Sequence, residues 1–161
     1  MRLLSLALFP VLLALAASAP ASAQDDGTDR PADAVRQTVT DLFDGMRAAD
    51  SAAVRAVLHP GVRFLTAPTM GDPANLTLNS VDGLLQAVAT APVTFDERVG
   101  EVEVRVDDGL ATAWMPYRFY ADDEFIHCGV NAMQLVRHAP PGEAPRWRIV
   151  QIIDTRRTTC E

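Results

Sequence analysis

From Leu110 to Arg157 the chain alternates with a period of two, and this limits its fold more than any other feature. The run LATAWMPYRFYADDEFIHCGVNAMQLVRHAPPGEAPRWRIVQIIDTRR holds three strand-like segments joined by two hairpin signals. Successive strand side chains point to opposite faces, so the alternation predicts a sheet with one buried face. The inward set reads Ala111, Ala113, Met115, Tyr117 and Phe119, then His127, Asn131, Met133 and Leu135, then Trp147, Ile149 and Ile153. The even-numbered set includes Val130, Val136, Val150 and Ile152. An outer face of that composition predicts a second cover, such as a homodimer through the sheet. Tyr117, His127, Cys128, Asn131, Asp154 and Arg156 interrupt the apolar pattern, and a sheet bent over a cavity would gather several of them.

The elements ahead of this meander are helical. Pro31 sits at a helix start, and Val35, Val39, Leu42, Phe43 and Met46 form one helical face. Asp50 or Ser51 can cap a second short helix running to Leu58, and Pro60-Gly61 stops it. Val62–Thr66 and Leu76–Leu78 read as short strands, and Ser80 caps a third helix with Val81, Leu84, Leu85 and Val88 inward. Val93–Val106 reads as one long strand, closed by the hairpin signal Asp107-Asp108-Gly109. The order is α-α-β-β-α-β-β-β-β, and helices first with strands later predict the α+β class.

Residues 1–23 carry the marks of a signal peptide: Arg2, an apolar run from Leu3 to Ala17, and the cleavage pattern Ala21-Ser22-Ala23. The apolar core is too short for a membrane span, and Pro10 and Pro20 interrupt it. The mature chain is expected to begin at Gln24, with a disordered leader over 24–30, a single domain over 31–161, and a periplasmic or secreted location. The formal net charge is −7, and the loss of Arg2 makes it −8. So acidic a chain is a poor partner for nucleic acid or for an acidic membrane face. All 14 basic residues are Arg, which fits a GC-rich genome or adaptation to high salt. The scattered His and Cys give no metal-site spacing, and no cofactor motif is present. Cys128 and Cys160 both fall in the exported part, where an oxidising compartment permits a disulfide; two free thiols are the alternative.

The blocks RAADSAAVRAVLHPGVRF, HCGVNAMQLVR and WRIVQIIDTRR resemble the nuclear transport factor 2-like superfamily, also called the SnoaL-like or polyketide-cyclase-like fold. The closing blocks are similar to an exported lumazine-binding-like branch. The resemblance implies a cone, with a curved antiparallel sheet wrapped around the long first helix and an open, mostly apolar cavity. Some members are isomerases, dehydratases, epoxide hydrolases or cyclases, and others only bind small molecules. The enzymes place Asp, His, Tyr or Asn on the sheet, facing into the cone. No Asp-Arg-Asp set of the epoxide-hydrolase type is present here.

Three functions fit. The first is binding of a small apolar or aromatic molecule, with Tyr117, His127, Asn131, Asp154 and Arg156 at the pocket. The second is acid-base catalysis. If residue numbers on the last two strands sum to about 283 or 284, Gly129 faces Asp154 and His127 comes near it. A carboxylate beside an imidazole suits a general base, and Tyr117 could donate to an oxyanion. The third is a dimerising interaction module.

Overall fold

The computed structural model describes residues 29–68 and 73–160. The signal segment and most of the leader lie outside these residues. Helix α1 (Asp29–Arg47) begins two residues before Pro31, so the last two leader positions are helical. Its stripe of Val35, Val39, Leu42, Phe43 and Met46 is buried along its length. Each such side chain contributes roughly 1.5–3 kcal/mol over leaving it in water. The turn after α1 puts Ala49 at φ 55°, and Asp50 N–H closes back on the Gly45 carbonyl at 2.9 Å. Asp50 then caps α2 (Ser51–Val57) by accepting from Ala53 N–H. Ser80 caps α3 (Val81–Thr90) in the same way, through Gly83 N–H.

The strands are β1 (Leu58–Thr66), β2 (Thr77–Asn79), β3 (Phe95–Val99), β4 (Glu103–Asp107), β5 (Leu110–Ala121), β6 (Glu124–His138) and β7 (Arg146–Asp154). They form one sheet in the order β2-β1-β7-β6-β5-β3, with β4 also on β5. The fold is α+β, with α1 lying on the inner face of a curved, open sheet. The turn between β5 and β6 is Asp122-Asp123, both at positive φ, as a two-residue hairpin of the primed type requires.

Four expectations change. First, the sheet is not wholly antiparallel, since β1 runs parallel to β7. Periodicity reports which face a strand buries and is silent on the strand beside it. Second, β1 starts at Leu58 and passes through Pro60-Gly61, where its register against β7 slips. Third, the long strand Val93–Val106 is two strands, because Pro116 sits mid-way along β5 and has no N–H for a neighbour. Gly100 N–H bonds the Pro116 carbonyl at 2.9 Å, and a Cβ at Gly100 would press on the proline ring.

Fourth, the β6–β7 register contains a bulge. Arg137 faces Trp147 and Leu135 faces Ile149, but Gln134 faces Gln151, so Val150 is an extra residue. Beyond it the inward set of β7 changes from odd to even. Ile152 therefore joins the core, while Ile153 takes the outer face.

The chain after β7 folds back on β6. Thr155 crosses close over Gly129, where any Cβ would collide with its carbonyl. Cys128 and Arg157 then exchange two backbone hydrogen bonds, at 2.8 and 2.9 Å. Cys128 is joined to Cys160 by a disulfide, with Cα atoms 6.3 Å apart and a sequence separation of 32. Cross-linking a loop of that length stabilises a fold by roughly 3–4 kcal/mol when chain entropy dominates. Reduction, or a Cys160→Ser change, is expected to lower the urea midpoint accordingly. An unchanged midpoint would show that the tail adds nothing to the global fold.

Candidate functional site

The polar residues of the inner face gather at one end of the sheet. Glu97 on β3 faces Phe119 on β5, which faces His127 on β6. One pair further in, Tyr117 faces Gly129, and beyond that Asn131 faces Asp154. Asp154 in turn lies beside Thr66 of β1. Parity places all of these on the side of α1. The bulge at Val150 puts Asp154 there too.

Asn131 is the centre of the group and is only 3% exposed. Its Nδ2 donates to Glu97 Oε1 at 2.6 Å. Burial pushes the Glu97 carboxyl up to about 7, and the charge of Asp154 adds to the rise. The Asn131 hydrogen bond and the charge of Arg156 hold it back only in part. Asp154 Oδ2 accepts from Arg156 Nε at 2.8 Å, while Oδ1 is buried and accepts no hydrogen bond.

Tyr117 is 3% exposed, and its hydroxyl donates to the Thr155 carbonyl at 2.9 Å. Burial, then the charges of Asp154 and Glu97, raise its pKa well above the usual phenol value. The hydroxyl also lies near the Asp154 carboxylate. The hydroxyl carries one proton, and its hydrogen bond is the one to the Thr155 carbonyl, while Asp154 Oδ1 has no hydrogen-bond partner. Burial lowers the His127 pKa, and Arg156 lowers it further against a weaker opposing pull from Asp154. The His127 ring packs between Tyr117 and Phe119, with centroids 5.6 and 5.1 Å away.

The expected His127–Asp154 pair is therefore not formed. With the extra residue at Val150, Asp154 lands opposite Asn131 and not Gly129. Tyr117 is placed in the group, with its hydroxyl donating to the Thr155 carbonyl. Arg156 joins the group as partner of Asp154. Cys128 points to the outer face, as alternation from His127 requires, and is bridged to Cys160. Glu97 was not anticipated. Its signal was an acidic residue in phase with the apolar Phe95 and Val99, hidden because Val102, Val104 and Val106 have the opposite phase.

The cavity beside this group is lined by Phe64, Leu84, Ile152, Asp154 and Arg156, and its volume is about 90 Å³. Pockets for drug-sized ligands run to roughly 300–1,000 Å³, so this one takes a small group or the tip of a larger molecule. The open cavity implied by the family resemblance is thus narrow among the described residues, because the α1 and α3 side chains fill the cone. Among the described residues no three His, Cys, Asp or Glu side chains converge as metal ligands would.

No protein-family model matches the chain, and no curated protein matches it in sequence. Solved structures match it in shape. An NTF2-like protein of unknown function from Shewanella baltica superposes with a TM-score of 0.59 at 13% identity, over 84% of this chain and 100% of its own. A protein of unknown function from Mycobacterium tuberculosis gives 0.62 at 10% identity, over 81% and 78%. A candidate scytalone dehydratase from Novosphingobium aromaticivorans gives 0.62 at 11% identity, over 81% and 87%. The fold of this chain is the NTF2-like fold.

The raised Glu97 carboxyl has a signed consequence for stability. Between its ordinary 4.5 and about 7 the folded protein holds a proton that the unfolded chain has released. Stability therefore falls as pH rises through that window, by up to roughly 3 kcal/mol. His127 acts in the opposite sense: its lowered pKa adds stability as pH rises through the ordinary imidazole range. Glu97→Gln keeps an acceptor for Asn131 and removes only the Glu97 titration. Urea unfolding at about pH 5 and about pH 8 should show the variant gaining on the parent at the higher pH. Parallel behaviour of the two proteins would mean that the carboxyl is solvated.

Proposed function

We propose that the chain is an exported small-molecule-binding domain whose ligand sets a hydroxyl or N–H group against Asp154. One observation carries this reading. Asp154 Oδ1 is a buried carboxylate oxygen with no donor, and Asp154 lines a small cavity together with Phe64, Leu84 and Ile152 and the polar Asn79, Ser80 and Arg156. A buried acceptor left unmatched costs about 1–3 kcal/mol, which a ligand donor would recover. The ligand is a small, largely apolar molecule with one polar end. A bicyclic ring of the lumazine type is too large to be enclosed by this cavity, so such a ligand would enter by one edge.

Asp154→Asn removes the charge and is expected to weaken binding at least tenfold, about 1.4 kcal/mol, with the circular dichroism unchanged. Native mass spectrometry of both proteins, purified from the exporting host, would identify the bound molecule. Equal occupancy in the variant would dismiss the site.

A second reading rests on Glu97. A carboxyl titrating near 7 can give and take a proton at neutral pH, as an isomerase, dehydratase or hydrolase needs. The resemblance in fold to the candidate scytalone dehydratase is consistent with it. Under this reading Glu97→Gln leaves ligand affinity in place and abolishes turnover.

Export and self-association complete the proposal. Arg2, the apolar run and Ala21-Ser22-Ala23 support cleavage after Ala23. On the outer face Trp114 is 53% exposed, beside a groove lined by Ala132, Gln134, Gln151 and Ile153. That surface favours a homodimer through the sheet. The secreted protein should begin at Gln24 and sediment as a dimer that Trp114→Arg dissociates. A retained leader would refute the first claim, and a parent monomer at high concentration the second.

A further inference from the structure

A row of basic residues crosses the outer face on the side of the sheet away from α1. Arg98 on β3 is paired directly with Arg118 on β5. Arg118 is paired with Cys128 on β6, and Cys128 with Arg157 in the tail. Three arginines thus stand in one line across three strands and the tail, in a chain whose net charge is −7. All three side chains are exposed.

Such a row is unfavourable by itself. Directly opposed strand residues have Cβ atoms about 5 Å apart, and like charges there repel. Arg98 is relieved by Asp96 at 2.6 Å and Asp123 at 2.6 Å, and it lies over the Tyr120 ring at 4.1 Å. Arg118 and Arg157 have no carboxylate within ion-pair distance among the described residues. They flank Cys128, so their Cα atoms are separated by two strand spacings, about 10 Å. Between them lies the Cys128–Cys160 disulfide, which holds the Arg157 segment in place.

The same residues line a cleft of about 910 Å³. Its walls include Val99, Pro116 and the disulfide, and Thr159 is at its edge. The cleft and the small Asp154 cavity have no lining residue in common.

We propose that this outer cleft is a second binding site, and that it takes a small molecule bearing a phosphate monoester. Two uncompensated guanidinium groups match a group of charge about −1.5 to −2 at neutral pH. Planar guanidinium forks bind phosphate oxygens two at a time, and one phosphate fits between Arg118 and Arg157 above the disulfide. The organic part of the ligand lies along Pro116. The site needs the oxidised tail, because Arg157 faces Cys128 only while the C-terminal segment is folded back.

The test is calorimetric titration of the mature, disulfide-bonded protein with phenyl phosphate at low ionic strength, beside succinate as a dicarboxylate. Saturable binding of phenyl phosphate, at least tenfold tighter than succinate, is the expected result. Arg118→Gln and Arg157→Gln should each weaken it at least tenfold. Arg63→Gln, an exposed arginine elsewhere on the sheet, should leave it unchanged. Absence of saturable binding overturns the site. Equal losses in all three variants would reduce it to general charge attraction, and equal binding of succinate would overturn the phosphate assignment.

Discussion

One extra residue on the last strand, Val150, sets what the inner face can do. Without it Ile153 would enter the core and Asp154 would point to solvent. With it Ile152 packs against Met133, and Asp154 comes opposite Asn131 on the inner face. A bulge costs one ladder position and reverses the facing of everything beyond it. Tyr117, Asn131 and Glu97 would stand on the inner face in any case, but the partner that charges the group arrives through this single irregularity.

The polar group is held against a real cost. Glu97 and Asp154 approach one another around a buried amide, and burial disfavours the charged form of Glu97. Asn131 satisfies Glu97, Arg156 satisfies half of Asp154, and Tyr117 is spent on the Thr155 carbonyl. What is left is one raised carboxyl and one buried oxygen without a donor. A packed core has no use for either. Both are the features that a bound polar group or a transferred proton would use.

The C-terminal tail serves both faces of the sheet. Asp154 and Arg156 belong to the inner group, while Arg157 and Cys160 belong to the outer cleft. Thr155 makes the crossing, with its backbone pressed on Gly129 and its hydroxyl accepting from Val130 N–H at 3.0 Å. Only glycine at position 129 permits that approach. The disulfide fixes the far end, so the tail is tied down at both ends of a short span.

The sequence by itself determined the class of fold, the helical stripe of α1, both helix caps and the hairpin at Asp122-Asp123. It also marked Tyr117, His127, Asn131, Asp154 and Arg156 as the polar residues of the inner end, and Cys128 with Cys160 as a pair that could bridge. These are local matters: periodicity, capping and turn chemistry act within a few residues. Tertiary structure alone decided which residues meet. Whether His127 or Asn131 stands by Asp154 depends on a bulge that no periodicity announces. Glu97 reaches Asn131 because Pro116 divides the first long strand in two and returns its first half to the inner phase. The parallel pairing of β1 with β7 and the row from Arg98 to Arg157 likewise join segments far apart in sequence, and their contact is a property of the closed sheet.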